Sequence, residues 1–121
     1  MKEGKFVRLL ICGDREWTNK ASILKQLKLR NITVIISGRA RGADTLAEEC
    51  GSLLGIALML FPANWDYYHK AAGPIRNQWM LNFGKPDEVW AFHSNIGASK
   101  GTADMVRRAK KANIRVRVFS E

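Results

Sequence analysis

The chain has 121 residues, 46% hydrophobic and 26% charged, and its 20 basic and 11 acidic residues give a formal net charge of +9. That length suits one compact domain over residues 1–121, and the composition excludes a disordered, fibrous or repeat-built chain. No apolar stretch reaches the roughly 20 residues that cross a bilayer, and Met1 to Lys5 lead into a strand rather than a signal peptide, so the expected setting is cytoplasmic with no membrane partner.

In chain order, an apolar run from Phe6 to Cys12 reads as the first strand and is followed by Gly13-Asp14-Arg15. A helix capped by Thr18 and carrying Ile23, Leu24 and Leu27 comes next. Thr33 to Ser37 form the second strand. The segment Ser37 to Asp44, SGRARGAD, then turns that strand into a helix whose Ala43, Leu46, Ala47, Cys50, Leu53 and Leu54 make the clearest amphipathic stripe in the chain. Ile56 to Phe61 form the third strand. The third helix has Pro74 in its first turn, is expected to bury Ile75, with Trp79 in the core or at a dimer interface, and stops before Gly84 and Pro86. Glu88 to Phe92 form the fourth strand, Thr102 to Ala112 the last helix with Asn113 as its stop, and Arg115 to Phe119 the fifth strand. This alternation predicts an α/β fold: one Rossmann-like doubly wound domain of about five mainly parallel strands with helices on both faces.

On that frame the Gly-, Arg- and Asn-rich loops all fall at the carboxyl ends of strands, where open doubly wound sheets bind ligands. SGRARGAD has the features of a phosphate seat. Its glycines admit an anion close to the backbone, the amides at the helix start point at it, and the arginines add charge-assisted bonds. The excess of positive charge fits a phosphorylated or polyanionic partner. Seven of the cations (Lys100, Arg107, Arg108, Lys110, Lys111, Arg115 and Arg117) gather near the C-terminus, however, and four of them oppose the apolar Met105, Val106 and Ala109 on a solvated helix face. Cys12 and Cys50 lie in apolar patterns and read as buried thiols. His69 and His93 lack metal spacing, so no metal site is expected.

Four ordered segments, ICGDREW, ISGRARGADTLAEECG, ANWDYYHKAAGPIRNQWML and KGTADMVRRAKKANIRV, span Phe6 to Phe119 and resemble the YspA/YpsA-related branch of the SLOG superfamily. That superfamily includes the LOG phosphoribohydrolases and the single-stranded-DNA-binding protein DprA. The resemblance implies a nucleotide or nucleic-acid phosphate at the strand ends and a homodimer or higher homo-oligomer. It assigns Gly38, Gly42 and nearby amides, Ser37 and Ala43 among them, to phosphate or ribose. Arg41 matches the arginine of the SGxARGxD pattern, and Arg39 adds a further charge. Arg76 falls where LOG enzymes have the arginine of an RK pair, while Asn77 replaces the lysine. Gly101-Thr102 matches the GT of PGGxGTxxE. In that motif the catalytic Glu lies three residues after Thr, which here is Met105, and PGG has become the longer loop from Ser94 to Lys100.

The leading expectation is a binder of a nucleotide or nucleotide-derived small molecule, such as an ADP-ribose or cyclic-nucleotide relative, serving as a sensor or sequestering protein without a further cofactor. Gly38 to Ala43 and Lys100 to Thr102 hold phosphate, Arg76 pairs with it, and Asp14 or Asn77 reads ribose. Arg15 and Ser94 belong to the same loops, and Trp17, or Trp65 to Tyr68, supplies the aromatic over a base. Trp17, Trp65 and Trp90 are each also candidates for core. The first alternative is an N-glycosidic hydrolase, for which Asp14, Asp44 and Asp104 are the candidate carboxylates, none at the LOG position; Asp14 and Asp44 serve equally as helix caps. The second is DprA-like binding of single-stranded nucleic acid, favoured by the net charge and the four tryptophans.

Overall fold

The computed structural model describes residues 4–121. Five strands, β1 (Val7–Gly13), β2 (Ile32–Ser37), β3 (Ala57–Leu60), β4 (Glu88–Phe92) and β5 (Arg115–Phe119), form one sheet in the order β3-β2-β1-β4-β5. Every neighbouring pair is parallel. The helices are α1 (Lys20–Lys28), α2 (Ala43–Leu53), the one-turn α3 (Trp65–Tyr68), α4 (Ala72–Gly84) and α5 (Lys100–Lys111). This is the α/β, Rossmann-like architecture expected from the alternation of apolar runs and amphipathic stretches.

Alternation along β1 divides the core. Val7, Leu9 and Ile11 pack with Ile23 and Leu27 of α1 and Ala43, Ala47 and Cys50 of α2, whereas Leu10 and Cys12 pack with Met80 and Leu81 of α4 and Met105, Val106 and Ala109 of α5. A central parallel strand buried on both faces reads as a near-continuous apolar run, which is why β1 and β2 are legible in the sequence.

Several details depart from expectation. The cap of α1 is Asn19, whose side chain accepts from the Ser22 amide at 3.0 Å, and not Thr18. Phe6 lies outside β1 and is exposed. On α2, Leu53 points to solvent while Leu46 and Leu54 are half-buried against the core. The core face of α4 is formed by Asn77, Met80 and Leu81; Ile75 is only half-buried, and Trp79 stays on the surface against Tyr68, with ring centroids 5.9 Å apart. A single polar residue, Asn77, sits in the middle of that face and disguises its period. α5 starts two residues early because the Ser99 hydroxyl accepts from the Thr102 amide at 3.1 Å.

One buried charge holds the start of β4. Glu88 accepts from both terminal nitrogens of Arg30, at 3.3 Å for the longer bond, and from the Trp90 indole at 3.1 Å. Burial alone pushes its carboxyl up, but these bonds outweigh that cost and hold it below its ordinary value. Replacing Arg30 with Met strands this carboxylate, and a loss of about 3 kcal/mol is expected in urea unfolding at pH 7. Adding Glu88→Gln to the same chain should recover part of the loss.

Candidate functional site at the switch in strand order

From β1 the chain departs to β2 on one side and pairs with β4 on the other, so the connections leave on opposite faces and a crevice opens beyond the carboxyl ends of β1 and β4. Two backbone bonds tie that edge together: the Asp14 amide donates to Phe92 O at 2.9 Å and the His93 amide to Phe119 O at 2.8 Å. The crevice is a cleft of about 730 Å³. Its walls come from Cys12 to Arg15 at the end of β1, Ala40 and Asp44 at the start of α2, Trp65, Lys70 and the inner side of α4 with Arg76 and Asn77, and His93 with the start of α5.

The SGRARGAD loop is folded around the protein's own groups. Ser37 is buried, donates to Glu48 at 2.7 Å and accepts from the Arg39 amide at 3.2 Å. The Ala40 amide donates to Asp44 Oδ2 at 3.1 Å, and the Ala43 amide to Asp14 O at 3.0 Å. The Asp44 carboxylate therefore occupies loop amides of the kind that the sequence assigns to a phosphate. Arg39 pairs with Glu48 and Arg41 with Glu16, and neither lines the cleft. Gly42, at φ +76°, brings the loop so close to Asp14 and Arg15 that any side chain there would collide with their backbone.

Arg76 is the cation built into this arrangement. It projects from α4, donates to Gly38 O and to Asn77 Oδ1, the latter at 3.1 Å, and lies where a methyl on Gly38 would meet its guanidinium. Asn77 has no free end: its amide nitrogen reaches Asp104 Oδ2 at 3.0 Å and Gly101 O at 3.3 Å. Asp104 in turn accepts from Arg107 and Arg108, both at 2.8 Å. A continuous hydrogen-bonded chain thus runs from β2 through Arg76 to the outer face of α5.

Of the residues singled out in the sequence, Gly13, Asp14, Arg15, Asp44, Trp65, Arg76, Asn77, Lys100, Gly101, Thr102 and Asp104 line the cleft together. Ser37, Gly38, Gly42 and Ala43 lie in its supporting loop, and Tyr68 and Ser94 stand outside the lining. Trp17 is in the core, edge-on to Phe92 at 5.7 Å, and Trp90 is fully buried. Of the aromatics considered for stacking, only Trp65, 48% exposed, is a cleft wall. The residues missed in sequence are Lys70, His93, Ser99 and the floor formed by Cys12, Met80 and Met105; Lys70 reads as solvated and His93 as lacking metal spacing until the chain is folded. Burial pushes the Cys12 thiol far up, and it packs with Met80 and Met105 as an apolar floor. Among the described residues no cluster of His, Cys, Asp and Glu suits a metal ion.

The charge is sorted. Arg15, Lys70 and Lys100 line the cleft without an ion-pair partner among the described residues, and Lys100 and Gly101 open the twelve-residue α5 onto it. Position 105, three residues after Thr102, is a buried methionine.

An open parallel sheet with its cleft at the switch in strand order defines the Rossmann-like class. Within that class the chain belongs to the family described as YAcAr, the YspA, cpYpsA-related SLOG family, whose model matches residues 7–68. It is 32% identical over 124 residues to the Gene 61 protein of Mycobacterium phage D29, across 94% of this chain and 97% of that protein. Among solved structures it is similar in fold to DNA processing protein A (DprA) from Streptococcus pneumoniae, with a TM-score of 0.73 and 19% identity over 93% of this chain. The chain spans half the length of that DprA chain. No helix of the described residues is long and apolar enough to cross a membrane.

Burial pushes the Asp44 carboxyl up to about 6, against the downward pull of the Ala40 amide and Arg76. A carboxyl raised on folding contributes stability that is present in acid and lost as pH rises through the folded value. Asp44→Asn should therefore match wild type near pH 4 and become relatively more stable from pH 4 to pH 7, with a difference of about 2 kcal/mol in chemical denaturation.

Proposed function

We propose that the cleft binds a nucleotide or a nucleotide-derived small molecule of the ADP-ribose or cyclic-nucleotide kind, and that the protein acts as a sensor or sequestering binder. The observation that carries this reading is the pairing of unpartnered cations with a missing acid. Arg15, Lys70 and Lys100 join Arg76 around about 730 Å³, within the range that small-ligand pockets occupy, while Met105 stands where a LOG-type enzyme has its glutamate. Phosphate lies against Arg76, Lys100 and the first amides of α5, and Trp65 offers an exposed ring to a base. Two of the carboxylates considered for N-glycosidic hydrolysis are held within the protein, Asp44 by the Ala40 amide and Asp104 by Asn77 and two arginines, while Asp14 spends Oδ1 on the Glu16 amide and keeps only Oδ2 towards the cleft. Binding without turnover accounts for both facts.

Native mass spectrometry of the purified protein, followed by identification of any released compound, tests this directly. A bound nucleotide derivative, recovered unchanged after incubation and lost in Arg76→Ala, is the expected result; its cleavage by the protein would establish the hydrolase instead. A second reading, single-stranded nucleic acid, is favoured by a basic groove of about 520 Å³ between α4 and α5, lined by Gln78, Arg107, Arg108 and Lys111 next to Asp104. Its signature is an affinity for a ~20-nucleotide strand that falls steeply with salt and grows with length.

A homo-oligomer is part of the same proposal, supported by the exposed aromatic face of Tyr67, Trp79 and Phe83 on α3 and α4. Sedimentation should show a dimer or larger species, and Phe83→Glu should shift it towards monomer.

A further inference from the structure

At the end of β1 and the end of β4, two side chains keep one polar atom each for use. Asp14 spends Oδ1 on the Glu16 amide at 2.9 Å, and His93 spends Nδ1 as acceptor of the Asn95 amide at 2.9 Å. An Nδ1 that accepts places the proton of the neutral ring on Nε2. His93 Nε2 and Asp14 Oδ2 then face each other at 4.0 Å, and neither has a hydrogen-bond partner among the described residues. Both residues line the cleft, and both are held by backbone on either side of the switch point, Asp14 through Phe92 and His93 through Phe119.

A donor and an acceptor at that separation are too far apart to bond directly and match one bridging hydroxyl. An oxygen about 2.8 Å from each atom closes the 4.0 Å span with an angle of roughly 90° at that oxygen, accepting from Nε2–H and donating to Oδ2. An ionised phosphate oxygen does not fit, because it has no proton to give and the carboxylate repels it. The Asn77 amide does not compete for the role, since both of its ends are already bonded. The cleft is therefore divided between a cationic part, Arg15, Lys70, Arg76 and Lys100, and a hydroxyl-reading pair at the β1–β4 end.

We propose that His93 and Asp14 together bind a ribose hydroxyl of the ligand, so that the cleft selects ribonucleotides over their deoxy counterparts. The proposal rests on the nucleotide reading of the cleft and specifies the sugar. The polar pair penalises a ligand that lacks the hydroxyl, because it leaves a donor and a carboxylate oxygen without their partner.

The test is calorimetric titration of the whole protein with the four ribonucleoside 5′-monophosphates and with their 2′-deoxy and 3′-deoxy forms. Wild type should bind at least one ribonucleotide about tenfold or more tightly than one of its deoxy forms, and which form is penalised identifies the hydroxyl. In Asp14→Asn and in His93→Phe that ratio should fall below about threefold, each variant first checked for wild-type circular dichroism. Equal affinity of wild type for ribo and deoxy forms, with all of them weakened in Arg76→Ala, would overturn the hydroxyl pair and leave the phosphate cleft standing. No binding of any of these monophosphates, nor of ADP-ribose or a cyclic nucleotide titrated in the same way, up to about 1 mM would overturn both, since it leaves less than about 4 kcal/mol for the whole set of contacts.

Discussion

The structure depends on β1 being paired on both edges and buried on both faces. Leu9 and Ile11 commit one face to α1 and α2, Leu10 and Cys12 commit the other to α4 and α5, and β2 and β4 supply parallel ladders on either side. A strand with no free edge or face has one register and one height in the sheet. Gly13 and Asp14, its continuation, are consequently delivered to a defined point beside Phe92, and the loops after β2, β3 and β4 arrive around them. The cleft is the space these connections leave when they diverge to opposite sides of the sheet.

Charge inside that space is arranged by what each group can be bonded to. Arg76 reaches the sheet edge from α4 and is kept there by Gly38 O, by Asn77 and by the nearby carboxylate of Asp44. Asp44 itself sits on loop amides in the first turn of α2, where helix polarity favours an anion, and burial still raises it. A phosphate-like position at α2 is thus satisfied from within, while at the start of α5 the Ser99 hydroxyl takes the Thr102 amide and Lys100 lines the cleft without an ion-pair partner among the described residues. Asp104 performs the complementary task on the other side, holding Asn77 on the cleft face and Arg107 and Arg108 on the outer face. The two basic regions of the molecule meet at that one carboxylate.

Much of this was legible in the residues alone, and what was not has a definite cause. The five strands are short apolar runs, four of the helices carry caps, stops or apolar periods, and their alternation implies a parallel sheet with its loops at one edge. Those are local properties, set by side chains within a few positions of one another. The ordered segments from ICGDREW to KGTADMVRRAKKANIRV likewise carried the family. Errors came where a local signal had two solutions: Thr18 and the adjacent Asn19 both qualify as caps, and Ile75 and Met80 lie on the same helix, of which Met80 is the one turned to the sheet.

Which loop groups are spent on the protein and which stay available was decided by tertiary structure. Arg39, Arg41 and Ser37 look identical in sequence to ligand contacts, yet Glu48 and Glu16, from 9 to 25 positions away, claim them. Lys70 and His93 look like ordinary surface residues until α4 and the β4 edge carry them to the same cleft. Sequence determines the elements, the charge and the family because these follow from local patterns and composition. The site is determined only in three dimensions, because a polar group's role depends on which partner from another part of the chain reaches it first.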